Sequence, residues 1–410
     1  MLLWFPNNNL GVENKMIKKL LLHSIIFLFD LESFFLRFIK PKSKSDILIL
    51  RTDNIGDFIL WLDSASQIRK RLNGNITLLC TSAVASIAKN VSYFDEIITL
   101  DTKKMFFNPI YRFKLLKKLR TKRYDLILNP LFSRDYFIGD TIVRNVCAKR
   151  KIGFGQDYNN TESRFIKLIS DKKKRSNILT KLLSKSNGFY SSLIETDKED
   201  KMELKRNAEF VSKFFDCDFK ASLPKLCFEI PEFNQVKDYV VLFIGASQVK
   251  RNWGEKKFVN LIDRLSSFVV LCGGDGDIEI ADNILRSVKQ SNRILNLVGK
   301  TNLLELCSVI NSANLVISND TVAAHISALV RTKSIVICPG NFRKRFHPYD
   351  LDSVSDDLKQ YFPVVIRHEM DCFDCAGNCT QLNDDMEHYP CIENISVDMV
   401  VSEINRLKQE

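Results

Sequence analysis

At 410 residues, 45% hydrophobic and 27% charged, the chain has the length of two domains and the balance of an ordinary globular protein. The formal net charge of +11 is uneven: residues 1–200 carry 35 Lys+Arg against 20 Asp+Glu, a net of +15, which leaves −4 for the remainder. An anionic partner is therefore expected at the first half, and the absence of helix-turn-helix, RNA-recognition and zinc-finger signatures argues against nucleic acid.

Residues 17–39 are rich in Leu, Ile and Phe, but their longest run without a formal charge is Leu20–Phe29. A spanning helix needs about 20 predominantly apolar residues, so this segment is too short. No small-residue cleavage site precedes Lys40-Pro41-Lys42, which weakens a signal-peptide reading. Lys18, Lys19, Arg37, Lys40, Lys42 and Lys44 flank the apolar part. That pattern suits a helix lying in a membrane interface, or a helix packed on the first domain. Residues 1–15 read as disordered, with Met16 as a second candidate start.

From residue 46 the pattern alternates strand and helix. Strands are predicted near 46–50, 75–80, 96–100, 124–129 and 150–154, with a strongly basic helix over 109–122. Residues 156–190 read as loop-rich and 193–217 as helical. Residues 218–236, with Pro224 and Pro231, read as the linker. The alternation then restarts, with strands at 239–244, 268–272, 294–297, 314–317 and 334–338. Helices are predicted at 255–265, 278–288, 303–311 and 397–408, the last one crossing back onto the first domain. The divisions are 1–45 for the N-terminal segment, 46–225 and 235–395 for two Rossmann-like domains, and 396–410 for the last helix.

Three strand-to-helix junctions carry polar residues where ligands bind in doubly wound α/β proteins. The first is Arg51…Gly56-Asp57. The second is Gly245-Ala246-Ser247…Lys250-Arg251-Asn252-Trp253. The third is Asn319-Asp320-Thr321-Val322-Ala323-Ala324-His325. Free N–H groups at the start of a helix, with capping residues beside them, make the third junction a ready anion site.

In order and spacing these motifs resemble glycosyltransferase family 9, the ADP-heptose:lipopolysaccharide heptosyltransferases, over roughly residues 46–405. The resemblance implies an α/β fold of two Rossmann-like domains facing a cleft, the GT-B architecture. It also implies an inverting, metal-independent transfer of heptose from ADP-heptose to a lipopolysaccharide-core acceptor. The alternatives are another nucleotide sugar, or a protein that binds a nucleotide sugar without turnover. Asp57 is the expected base, with Asp53 next in line. Arg51 and Gly56 lie on the acceptor side. Gly245, Ser247, Lys250 and Arg251 are expected at the donor diphosphate. The family places a Lys two residues before the Trp, where this chain has Arg251, so the contacting cation is open between Lys250 and Arg251. Glu279 is the candidate for the adenosine ribose. Asp320 would hold sugar hydroxyls, Thr321, Val322 and Ala323 would cradle phosphate, and His325 would orient or donate. Trp253 reads as packing.

The partners implied are the nucleotide-sugar donor, a glycolipid acceptor and an anionic membrane surface. The location implied is cytoplasmic, peripheral on the inner face of the bacterial inner membrane. No cofactor and no catalytic metal are expected. Seven of eleven cysteines are scattered in apolar segments; the other four form Cys372-x2-Cys375-x3-Cys379-x11-Cys391. That spacing suits a structural zinc site, which is not favoured over plain reduced thiols; a disulfide or redox pair is the third alternative.

Overall fold

In the first sheet, Ile47–Leu50 is a continuous apolar run buried on both faces, the signature of an interior parallel strand. The computed structural model describes residues 12–155, 172–196, 201–341, 344–375, 379–383 and 385–409. The strands of this sheet are β1 (Ser43–Arg51), β2 (Ile76–Thr81), β3 (Glu96–Leu100), β4 (Lys122–Asn129), β5 (Cys147–Phe154) and β6 (Ser192–Ile194). They lie in the order β3-β2-β1-β4-β5-β6. Ile49 of β1 stands level with Leu78 on one side and Leu128 on the other, both in parallel register.

The second sheet contains β7 (Tyr239–Phe243), β8 (Phe268–Cys272), β9 (Ile294–Asn296), β10 (Leu315–Asn319), β11 (Ser334–Ile337) and β12 (Val364–Ile366). Its order is β12-β11-β10-β7-β8-β9. Leu242 of β7 stands level with Leu271 and Ile317. Counted from its own first strand, each sheet has the same order, and in each the sequence direction reverses beside the first strand. That reversal opens the crevice where α/β proteins bind ligands.

Two strands were not predicted. β6 and β12 have three residues each, too short for a period of two to show. Ser192–Ile194 falls in a stretch expected to be helical, where the helix is confined to Glu203–Phe215. Conversely, helix Lys172–Asn187 occupies part of the stretch expected to be loop-rich. Its Leu182 and Leu183 pack with Phe29, Phe106, Tyr136 and Phe137, so burial outweighs the polar composition. The remainder of that stretch, 156–171, lies outside the described residues, as do residues 1–11 of the segment read as disordered.

The chain packs as two compact units that are not contiguous in sequence. The first comprises residues 1–52, 74–81 and 98–198; the second comprises 53–73, 82–97 and 199–410. Helix Ile55–Arg71, which directly follows β1, thus belongs to the second unit. There its Leu60 joins Leu204, Leu223 and Ala328 in one apolar cluster. The last helix, Val397–Gln409, buries Val400 and Ile404 with Trp253 and Ile335 in the core of the second unit. The expected crossing to the first domain is replaced by this packing.

Helix Val12–Leu36 has two characters. One face is part of the first unit: Phe29 and Leu36 are buried, and the Arg112 guanidinium lies 3.7 Å from the Phe29 ring centroid. Glu32 accepts from Arg112 at 2.6 Å. The other face exposes Phe27, Leu28, Leu31, Phe34 and Phe35, followed by Phe38. No helix among the described residues is long and apolar enough to cross a membrane.

Candidate functional site

In the second unit, β7 and β10 are neighbours, so the loops at their carboxyl ends meet. Asn319, the last residue of β10, ties them together. Its Nδ2 donates to the carbonyls of Ile244 and Gly245 at 2.9 and 3.0 Å, and its Oδ1 accepts from Trp253 N–H at 3.0 Å. The side chain expected to bind substrate therefore sets the shape of the Gly245 turn through the backbone. Trp253 is fully buried and donates from Nε1 to Ile395, which confirms it as packing.

Gly245 is required by close approach. A Cβ there would stand 2.0 Å from Asp277 Oδ2. Asp277, two residues before the expected ribose ligand Glu279, is thus the carboxylate against the turn. Its Oδ2 also accepts from Gly274 N–H at 2.8 Å. Burial raises the Asp277 carboxyl above its usual range, with the Gly274 bond opposing. Glu279 lies exposed on the first turn of helix Ile278–Ser287.

Arg251 is committed to Asp320 in an ion pair with both side chains largely buried. Lys250, next to it, is half-buried and has no ion pair among the described residues. Ser247 is exposed at the tip of the turn. Thr321 caps helix Val322–Val330 in extended conformation, without a hydrogen bond from its side chain to the helix. Its Oγ1 is buried and has no partner among the described residues. The N–H groups at the start of this helix, including those of Val322 and Ala323, lie beside that hydroxyl and form an anion-binding end.

Helix Ile55–Arg71 brings Gly56 and Asp57 into the same unit. A Cβ on Gly56 would stand 3.0 Å from His325 Cδ2, so this helix starts in tight contact with the imidazole. Asp57 follows in the first turn of the same helix, 8% exposed. Arg51 is buried at the end of β1, level with Cys80, and belongs to the first unit.

The loop after β11 supplies three side chains that the sequence reading missed. Tyr349 Oη is 2.8 Å from His325 Nδ1. His347 stacks on His325 with centroids 4.9 Å apart and planes 7° from parallel. Arg345 pairs with Glu203, Nε to Oε2, at 3.4 Å. Burial opposes the Arg345 charge, but Glu203, Asp57 and Asp53 outweigh it and raise its pKa. The expected base and its alternate therefore share a guanidinium with Glu203. A His-Pro step and the three basic residues Arg343, Lys344 and Arg345, just beyond a strand's carboxyl end, were the available signal.

The two histidines are neutral. Burial drives His325 down to about 4, against the pull of Asp320. Burial, with His325 and the guanidinium groups of Arg367 and Arg251, drives His347 to about 3. Burial also opposes ionisation of Asp320, yet Arg251 foremost holds its carboxyl below the usual range, with Arg367 contributing. The site thus offers the largely buried carboxyl groups of Asp57 and Asp320, two uncharged imidazoles, the Lys250 amine and a helix end.

Cys372, Cys375, Cys379 and Cys391 are free thiols lining one small cavity with Gly340 and Tyr389. Among the described residues no group of three or more His, Cys, Asp or Glu is placed to hold a metal ion. The cavity is tied to the donor-side loops: Tyr389 N–H donates to Lys250 O at 2.8 Å, and Gly340 N–H to Cys391 Sγ at 3.4 Å.

The profile of glycosyltransferase family 9 (heptosyltransferase) matches residues 112–353, more than half of the chain. The chain belongs to glycosyltransferase family 9. It is accordingly a glycosyltransferase. The matched span includes the Gly245 turn, Asp320 and His325, and begins after Gly56-Asp57. Lipopolysaccharide heptosyltransferase 3 of Escherichia coli is 26% identical over 328 residues, which cover 73% of this chain and 91% of that protein. Among solved structures, E. coli heptosyltransferase WaaC with ADP-2-deoxy-2-fluoro heptose superposes with a TM-score of 0.62 at 15% identity, covering 88% of this chain and 99% of that one. The family 9 glycosyltransferase of Veillonella parvula does so with a TM-score of 0.63 at 14% identity, covering 88% and 97%. At such identities the likeness establishes the fold, the two-sheet GT-B architecture of this family 9 member.

Proposed function

We propose that this glycosyltransferase moves heptose from ADP-heptose onto the core of a lipopolysaccharide-type acceptor, with inversion and without a metal ion. The observation that carries the reading is the approach of Gly56-Asp57 to His325 and the Arg251–Asp320 pair within one unit. A base and a donor end then face the same reaction. The E. coli relative covered over 91% of its length is itself named a lipopolysaccharide heptosyltransferase, which supports the choice of sugar and acceptor.

In this mechanism Asp57 accepts the proton of an acceptor hydroxyl as its oxygen attacks the anomeric carbon. The bond from that carbon to the diphosphate oxygen breaks on the opposite face, and its electron pair leaves with the diphosphate. One displacement inverts the centre. Lys250 and the N-terminus of helix Val322–Val330 stabilise the charge that develops on the leaving group. Arg345, held by Glu203, keeps Asp53 and Asp57 beside a cation. Asp277, against the Gly245 turn, and Glu279, on the next helix, are the carboxylates available to the donor's ribose. Arg51, at the end of β1, serves the acceptor.

The acceptor is lipid-anchored in this reading, and the protein works at the cytoplasmic face of the inner membrane. The exposed apolar face of helix Val12–Leu36, with Phe107 and Ile110 also exposed in the first unit, supports peripheral contact with an anionic bilayer. The deciding experiment is incubation with a panel of nucleotide sugars and a lipopolysaccharide-core acceptor, with product anomers read by NMR. Transfer of heptose from ADP-heptose with inverted configuration is expected. Transfer from a different nucleotide sugar, or retained configuration, would overturn the corresponding part.

A further inference from the structure

One buried imidazole in the second unit is left without a partner. His347 is 1% exposed, and neither ring nitrogen has a hydrogen-bond partner among the described residues. Its Nε2 stands 3.7 Å from Asp320 Oδ1, beyond direct hydrogen-bond length. Burying polar nitrogens unmet costs stability, so a retained position of this kind calls for a ligand.

The ring is held firmly where it is. It stacks on His325, and Tyr349 lies beyond it with centroids 5.7 Å apart and planes at 16°. Arg367 donates to the backbone carbonyl of His347 at 2.6 Å. Rotating the imidazole away would break the stack.

Its charge state selects the ligand chemistry. With a pKa pushed to about 3 by burial and cationic neighbours, the ring is neutral at working pH. A neutral imidazole carries one N–H and one lone pair. A diphosphate oxygen accepts only, and is better matched by Lys250 and the helix end. A hydroxyl both accepts and donates. A single oxygen can lie about 2.8 Å from both His347 Nε2 and Asp320 Oδ1, accepting from the first and donating to the second.

We propose that His347 and Asp320 together grip one hydroxyl of the donor's sugar, His347 as hydrogen-bond donor and Asp320 as acceptor. This rests on the nucleotide-sugar reading given above and adds to it a sugar-reading residue from the loop after β11.

The test compares binding of ADP-heptose with binding of ADP to the full-length protein by calorimetry. His347→Phe keeps the stacked ring and removes both nitrogens. His347→Gln restores an N–H donor near the Nε2 position. The wild-type preference for ADP-heptose over ADP should fall roughly 3- to 10-fold in His347→Phe, the range for a hydrogen bond between two uncharged groups. ADP affinity should change less than about twofold, and His347→Gln should recover most of the preference. An unchanged preference in His347→Phe overturns the proposal. So does an equal loss of ADP and ADP-heptose affinity, which would mark His347 as packing alone. If the wild-type protein shows no preference for ADP-heptose over ADP, the donor reading itself fails, a result distinct from a variant that behaves like wild type.

Discussion

Gly56 and His325, 269 positions apart in sequence, meet so closely that a methyl group on the glycine would stand 3.0 Å from the imidazole Cδ2. The imidazole has no room to yield, because Tyr349 holds its Nδ1 at 2.8 Å and His347 covers its face. In Gly56→Ala the start of helix Ile55–Arg71 must move instead, carrying Asp57 with it. Turnover should fall about 3- to 10-fold, less than the cost of a misplacement near 1 Å because the overlap is only a few tenths of an ångström, with secondary structure unchanged by circular dichroism. Turnover within twofold of wild type would show that the helix start is not held against His325.

Asp57→Asn keeps the shape of the first turn and removes proton acceptance. Turnover should drop by about 10²- to 10⁴-fold, while ADP-heptose affinity stays near wild type. Steady-state kinetics beside calorimetric donor binding separate the two effects. Near-normal turnover would pass the role of base to Asp53.

Lys250→Ala and Arg251→Ala should differ in kind. Lys250 is available to the diphosphate, so its loss should weaken ADP binding with little change in folding stability. Arg251 neutralises the largely buried Asp320, so its loss strands a carboxylate and should destabilise the protein by on the order of 3 kcal/mol. Urea denaturation of both variants checks the contrast. Equal stability of the two would break the assignment.

The neutral histidines predict an acid limb in stability. An unfolded histidine titrates near 6.5, whereas His325 and His347 take protons only near 4 and 3 when folded. As pH falls below about 6.5 the unfolded chain binds up to two protons that the folded chain refuses, so stability falls with pH through that window. The Asp320 carboxyl, lowered by its neighbours, adds its own loss only below the ordinary aspartate range. His347→Phe removes one of the two protons, and its urea midpoint should decline less steeply than wild type between pH 6.5 and 4. Parallel profiles would mean that His347 is not buried as a neutral ring.

The membrane face can be tested without touching the core. Phe34, Phe35 and Phe38 are 51, 56 and 71% exposed, so changing all three to Ser should leave the melting temperature nearly unchanged. Binding to anionic liposomes should weaken at least about tenfold, and binding of the wild type should fall with salt. Deleting residues 1–40 is the wrong probe: it removes Phe29 and Leu36 from the core of the first unit and should unfold it. A triple variant that binds liposomes like wild type would exclude this face.

The longer buried strands were legible in sequence because each centres on a run of three to five apolar residues within at least five residues of extended chain: β1, β4, β8 and β10 all stand where the alternation placed them. The edge strands β6 and β12 were not, since three residues show no period. Among the site residues, the three junction motifs were legible as strand-to-helix turns with polar residues. Their mutual contacts were not. Nothing local reveals that Arg251 is spent on Asp320, or that Asn319 turns inward to the backbone. Arg345, His347 and Tyr349 escaped because the loop after Pro339-Gly340 has no periodicity to read. The N-terminal helix was legible only as a pair of alternatives: its buried face packs on the first unit, and its exposed apolar face is what the liposome measurement tests.

The interleaving of the two units bears on how this chain can fold. Because residues 53–73 and 82–97 belong with 199–410, a fragment begun at the 218–236 segment lacks the helix whose Leu60 meets Ala328 and Leu204. Such a fragment presents a bare apolar surface, and the complementary piece keeps a helix with nothing to cover it. Early and late parts of the polypeptide must therefore find each other before the second unit is complete, and closure of these long loops sets a slow, non-local step. During synthesis the first sheet can close from the first 198 residues, while helix Ile55–Arg71 waits, uncovered, for the second half of the chain to emerge.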